Sequence, residues 1–134
     1  MSCLFNSLSY FVNVNEDGKN LRNIICDYLE EDNIIFDDMN VSKIVEPETT
    51  CDYVTNMRCE NTFGGALEIK AFCRLFKLNV LVKSFPNNRN IEFVENKNNN
   101  NWVIISWTGN HFEPLGRCIG DPGNLPPICI PPIA

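Results

Sequence analysis

Seven cysteines and one histidine fall within the 134 residues, and one of these cysteines stands with the histidine where thiol chemistry is conceivable. Cysteine attacks carbonyl carbon as a thiolate, so a nucleophilic cysteine needs a stabilised anion and a base within reach. Cys3 sits where the first amphipathic segment opens, and the unpaired N–H groups and dipole of a helix start favour an anion there. His111, preceded by Thr108-Gly109-Asn110 and followed by Phe112-Glu113, is the one imidazole the chain offers as a base. Glu113 lies two residues further on, and positions i and i+2 of a strand share a face, so its carboxylate would orient the ring through an Nδ1–H bond. Taken singly neither residue is diagnostic, because a cysteine near a helix start is more often packing and a lone histidine more often surface.

The elements that must hold these residues follow from periodicity. Leu4, Phe5, Leu8, Phe11 and Val12 have helical spacing and predict a buried helix opening at or just after Cys3. Asn13 to Asn20 supplies turn chemistry. Leu21, Ile24, Ile25, Tyr28 and Leu29 then predict an amphipathic helix, with Arg22, Asp27, Glu30 and Glu31 on its polar side. Ile34 to Thr50 reads as loop with at most a short helical turn, and Cys51 to Cys59 as a short helix capped by Thr50. A helix starting near Gly65 is lined by Leu67, Ala71, Phe72 and Leu75; Gly64-Gly65 reads as its entry turn and Glu68 as a solvated or capping carboxylate.

The period then changes. Asn79–Ser84, Ile91–Glu95 and Trp102–Thr108 are rich in β-branched and aromatic residues and predict strands, with His111–Leu115 as a last short one. Pro86-Asn87-Asn88 and the Asn-rich run from Asn96 to Asn101 separate them as solvated turns. Helices first and a small, mostly antiparallel sheet afterwards is an α+β pattern. Five prolines follow Arg117, excluding a regular helix or central strand there, so a domain over 1–117 and a Pro/Gly-rich tail over 118–134 are expected.

Composition narrows the function class. A 44% hydrophobic and 10% aromatic content fits one packed domain. The net charge of −6 argues against nucleic acid as principal partner and favours a protein or peptide. The longest apolar runs, VLV and WVIISW, are too short to span a bilayer. The odd cysteine count, and an N-terminus MSCLFNSLSYFV without a basic leader, point to reduced thiols in the cytoplasm. With no Cys-x-x-Cys pair and one histidine, neither a metal nor another cofactor is expected. Cys26, Cys51, Cys59 and Cys73 read as small core residues, and Cys118 and Cys129 as unbridged in a reducing compartment. The acidic cluster Glu30, Glu31, Asp32, Asp37 and Asp38 reads as a soluble face that a basic partner could use. A monomer is expected, and the Asn-rich composition suits an AT-rich viral or microbial genome.

Taken in order, five segments resemble the ovarian-tumour (OTU) family of cysteine proteases. Cys3-Leu4-Phe5-Asn6-Ser7-Leu8 resembles that family's Cys-Leu-Phe-x-(Ala/Ser)-(Leu/Ile) segment. Leu21-Arg22 with Asp27-Tyr28-Leu29 is similar to its next helix, and Asp52-Tyr53-Val54-x-x-Met57 to its (Asp/Glu)-Tyr-x-x-x-Met helix. Thr62-Phe63-Gly64-Gly65-Ala66-Leu67-Glu68 resembles its Thr-Trp-Gly-Gly-x-x-Glu signature. Trp107 to Leu115 resembles the strand bearing its His-(Tyr/Phe) pair. The resemblance implies a papain-like fold with the sheet packed between helices, and hydrolysis of the bond after the C-terminal Gly-Gly of ubiquitin or a ubiquitin-like modifier, in the host cytoplasm for a small viral-type member. It implies Cys3 as nucleophile, His111 as general base and Glu113 as orienting carboxylate.

Three positions depart from the family's pattern. Only Met1 and Ser2 precede Cys3, where the motif has Asp-Gly-(Asn/Asp) and the family's upstream loop supplies oxyanion donors, each worth about 10²–10³ in rate. Glu113 stands where Asp or Asn is usual, and Asn110 is a second candidate for orienting the ring. Phe63 replaces Trp and is expected to affect packing only. The sequence therefore leaves two readings: an active deubiquitinating thiol protease, or an OTU-like module, weak or inactive in catalysis, that binds ubiquitin or another protein.

Overall fold

Leu4, Phe5 and Leu8 recur at helical spacing and are all buried, which closes the first segment into α1 (Cys3–Ser9). In the computed structural model, residues 3–12, 18–36, 39–96 and 98–120 are described. Helix α2 (Gly18–Glu30) starts three residues earlier than Leu21, where the apolar pattern begins, and buries Leu21, Ile25, Cys26 and Leu29. The expected turn over Asn13 to Asn20 lies otherwise outside the described residues.

The segment read as loop carries a small hairpin, β1 (Ile34–Phe36) with β2 (Met39–Asn40), and one turn of helix, α3 (Val41–Ile44). Asp32 organises it from a left-handed conformation, φ 57°. Its carboxylate accepts from the Ser42 N–H at 2.7 Å and from Asn40 Nδ2 at 3.0 Å. Helix α4 (Thr50–Met57) is capped by Thr49 rather than Thr50, through the Asp52 N–H. Helix α5 (Ala66–Phe76) ends on Lys77 in the left-handed conformation.

Strands β3 (Asn79–Ser84), β4 (Arg89–Phe93), β5 (Asn101–Trp107) and β6 (Phe112–Ile119) form one sheet in the order β4-β3-β5-β6. The β3–β4 and β5–β6 pairings are antiparallel and β3–β5 is parallel, so the sheet is mostly antiparallel as expected. The parallel pairing requires the chain to return from β4 to the far side of β3. Asn79, fully buried, holds that return by accepting from the Glu95 N–H and donating to the Asn99 carbonyl, at 2.7 and 2.6 Å. The Asn-rich run is thus pinned by hydrogen bonds rather than merely solvated. Strand β6 runs through Arg117 to Ile119, with Cys118 buried opposite Trp102. It is an edge strand with a register shift around Leu115, and both features accommodate Pro114.

Two apolar clusters divide the sheet's faces. Val80, Val82, Val103 and Ile105 join the buried residues of α1, α2, α4 and α5 in the main core. Leu81, Trp102, Ile104 and Cys118 form a smaller cluster on the opposite face, to which no described helix contributes. The expected layering of helices against sheet is therefore seen on one face among the described residues.

Candidate active site

The three residues singled out by type come from two elements that pack together. Cys3 opens α1, half-buried and with a free thiol; α1 lies against β5 and β6. His111 sits at the root of β6, in the turn after β5. That turn closes through the Thr108 N–H and hydroxyl, both donating to the His111 carbonyl at 3.0 and 3.2 Å. Gly109 takes φ 111°, a conformation that favours glycine. Trp107 and Phe112 stack beneath the turn with centroids 4.6 Å apart, and both pack against the main core, which fixes the backbone on either side of His111.

His111 and Glu113 are brought together. Glu113 Oε1 lies 3.6 Å from Nε2 of the ring, just beyond hydrogen-bond distance, with both side chains more than half exposed. The facing nitrogen is Nε2 and not the Nδ1 expected from sequence. Asn110, the other candidate, instead shares the single Thr108 hydroxyl proton with the His111 carbonyl, its Oδ1 lying 3.1 Å from that hydroxyl within its own turn. No hydrogen bond joins the Cys3 thiol to the His111 ring among the described residues. Ser7 donates back to the Cys3 carbonyl at 2.7 Å, tightening the first turn of α1.

Beneath α1 lies a buried polar network that sequence reasoning misplaced. Arg22, read as part of a polar face, is 1% exposed: its guanidinium lies 4.3 Å from the Phe5 ring centroid and donates to the Met57 carbonyl at 2.7 Å. Glu68, read as solvated or capping, is a capping carboxylate that is also buried, at 1% exposure. It accepts from the Gly65 N–H at 2.7 Å and from the Tyr53 hydroxyl at 2.6 Å. Since Gly65 has no side chain to return the bond, this is the carboxylate half of a capping box. Burial pushes the Glu68 carboxyl above the usual range against the pull of both bonds, and burial together with Glu68 pushes the Tyr53 phenol strongly upward. Tyr53 therefore remains a neutral donor. The signal was present in the spacing Tyr53…Gly64-Gly65…Glu68, but a charged residue one turn into a helix reads as solvated unless its neighbours in space are known.

The remaining described cysteines differ in burial. Burial pushes the Cys26 thiol to about 11 and the Cys73 thiol to about 12. Cys51 and Cys59 are exposed rather than core. Cys118 is buried, and Cys129 lies outside the described residues, as do Asp37 and Asp38. Phe63, whose replacement of Trp was expected to affect packing only, is 58% exposed. Among the described residues no cluster of metal-ligating side chains occurs, and no helix is long and apolar enough to cross a membrane. An apolar groove of about 170 Å³ opens beside the His111 turn, lined by Gly65, Ile69, Val82, Phe93, Trp107 and Phe112 among others.

Helix α1, which carries a thiol, packed against the strand that carries a histidine–carboxylate pair is the layout of a papain-like α+β fold. The family model for OTU-like cysteine proteases matches residues 2–112, and the chain belongs to that family. Ubiquitin thioesterase OTU1 of Mus musculus is 28% identical over 136 residues, covering 96% of this chain and 37% of the relative. The Xenopus laevis protein of the same name is 27% identical over 136 residues, covering 96% and 42%. The chain thus spans about two-fifths of the length of these curated relatives. A solved OTU domain in complex with ubiquitin superposes with a TM-score of 0.69 at 21% identity, covering 84% of this chain and 62% of that one. The Hazara virus OTU bound to ubiquitin gives 0.63 at 17%, covering 90% and 76%. Both share the fold.

Proposed function

We propose that the protein is a deubiquitinating thiol protease that hydrolyses the bond after the C-terminal glycine of ubiquitin or a ubiquitin-like modifier, with Cys3 as nucleophile, His111 as general base and Glu113 orienting the ring. The observation that carries this reading is the continuous family match across residues 2–112, which includes both Cys3 and His111. The position of Glu113 beside the ring supports it, as do the names of the relatives, ubiquitin thioesterases.

In this reading His111 Nδ1 takes the thiol proton and the Cys3 sulfur bonds to the glycine carbonyl carbon. Collapse of the tetrahedral adduct breaks the C–N bond as the imidazolium returns its proton to the leaving amine, leaving a thioester. Water, deprotonated by the same imidazole, then adds to the thioester carbonyl and expels the thiolate, releasing the modifier's carboxylate. Glu113 stabilises the imidazolium between the two proton transfers. The apolar groove beside the His111 turn offers a seat for the extended tail that precedes the glycines. Thiols stay reduced most readily in the cytoplasm, and a cysteine nucleophile supports a cytoplasmic location.

Hydrolysis of ubiquitin carrying a C-terminal fluorogenic amide tests this. The wild type is expected to turn it over, Cys3→Ala to be inactive and His111→Ala to lose about 10²–10⁴ in rate. Equal hydrolysis by wild type and Cys3→Ala would refute the assignment, and ubiquitin binding without any turnover would identify a binding module instead.

A further inference from the structure

The buried Glu68 carboxylate lies on α5 and is hydrogen-bonded to Gly65 and Tyr53 rather than to the His111 turn, yet its contacts lead to Cys3. Its Oε1 holds the Gly65 N–H at 2.7 Å and its Oε2 is held by the Tyr53 hydroxyl of α4 at 2.6 Å. Gly64, the next residue back along the chain, presses on the first turn of α1: a Cβ there would stand 2.8 Å from Leu4 Cδ2 and 2.9 Å from Phe5 Cε2. Leu4 and Phe5 directly follow Cys3 and are fully buried, so their side chains have little room to give and couple Gly64 to the turn that carries the thiol. The Arg22 guanidinium, over the Phe5 ring and bonded to the α4 carbonyl of Met57, closes the same frame from α2.

We propose that Glu68 is a positioning residue for the thiol: with Tyr53 it fixes the Gly64–Gly65 backbone against the first turn of α1 and so sets where Cys3 stands relative to the base. This rests on Cys3 being the nucleophile of the proposed reaction. A carboxylate buried to this degree for packing alone is a poor choice beside an apolar isostere, whereas one that satisfies a backbone N–H and a tyrosine hydroxyl specifies a single backbone position. Glutamine can do the same, accepting from Gly65 and donating to the Tyr53 oxygen; alanine cannot.

Steady-state hydrolysis of the ubiquitin amide is compared for wild type, Glu68→Gln and Glu68→Ala, with urea midpoints measured in parallel. Glu68→Ala is expected to lower kcat by about 10- to 100-fold, with KM within about 3-fold, because misplacement of a reacting group acts on the chemical step. Glu68→Gln is expected to restore kcat to within about 3-fold of wild type. If Glu68→Ala does not fold, Tyr53→Phe carries the test, with an expected kcat loss of about 3- to 10-fold at unchanged KM. Wild-type kcat in the truncating variant, an equal loss in Glu68→Gln, or a loss confined to KM overturns the proposal.

Failure of the functional reading itself is separable. Should the wild type hydrolyse nothing, the rate of Cys3 alkylation by iodoacetamide, followed by peptide mass spectrometry, still reports the thiol's setting. A change of about 5-fold or more in Glu68→Ala or Tyr53→Phe, with Glu68→Gln at the wild-type rate, supports positioning. Equal rates in all variants overturn it.

Discussion

His111 and Glu113 illustrate how much a pair of side chains can be asked to do. At 3.6 Å, with both partners more than half exposed, the carboxylate acts on the ring through partly screened charge rather than through a formed hydrogen bond. Glu113→Gln is accordingly expected to lower kcat by only about 3- to 10-fold, against the much larger loss for His111→Ala, and steady-state kinetics on the two variants checks the ranking. Cys3 and His111 were singled out from sequence because the histidine has no rival and the placement of the two matched an ordered set of family segments. Arg22 and Glu68 were not, although both lie in quoted segments. A charged residue defaults to solvent in a periodicity argument, and only the three-dimensional neighbours, Phe5 and Met57 for one and Tyr53 and Gly65 for the other, show what satisfies it when buried.

Elements were legible where the hydrophobic period was sustained. The strand over 79–84 matches its expected bounds, and β4 and β5 differ by one or two residues at their ends. The segment from Ile34 to Thr50 was not legible, because strands of three and two residues and one helical turn are too short for any period to register. What holds them is the Asp32 carboxylate, a local hydrogen-bond device rather than a pattern. The glycine pair shows the same limit: both residues read as an entry turn, but their tolerances differ. A methyl at position 64 would meet Leu4 and Phe5 at under 3 Å in a filled core, whereas at position 65 the nearest atom is Glu68 Oε1 at 4.0 Å. Gly64→Ala is therefore expected to destabilise by about 1–3 kcal/mol and Gly65→Ala by clearly less, measured by urea denaturation. Equal cost at the two positions would show that Gly64 does not press on α1.

Over the whole molecule, α1 bridges the helical core and the sheet edge that bears the candidate site, so stability and the geometry of that site are linked through the groups beneath it. Glu68 makes that link dependent on pH. Its carboxyl is raised above the ordinary value of 4.5 by burial, so the folded state binds this proton more tightly than the unfolded state does. The stability it contributes is full below the unfolded value and is lost as pH rises through the folded one. Glu68→Gln lacks this proton, so its stability relative to wild type should increase as the pH is raised from about 4.5 to about 8, in urea melts of both proteins. A constant difference would mean that the bonds from Tyr53 and Gly65 fully offset burial.

In the proposed reaction Cys3 is the residue that meets the modifier's C-terminus. Incubation with ubiquitin bearing a C-terminal electrophile in place of its last glycine, followed by intact-mass and peptide mass spectrometry, tests this most directly. A single adduct on Cys3, absent in Cys3→Ala and slowed in His111→Ala, is the expected result. Labelling at another cysteine, or no adduct while ubiquitin binds, would contradict it.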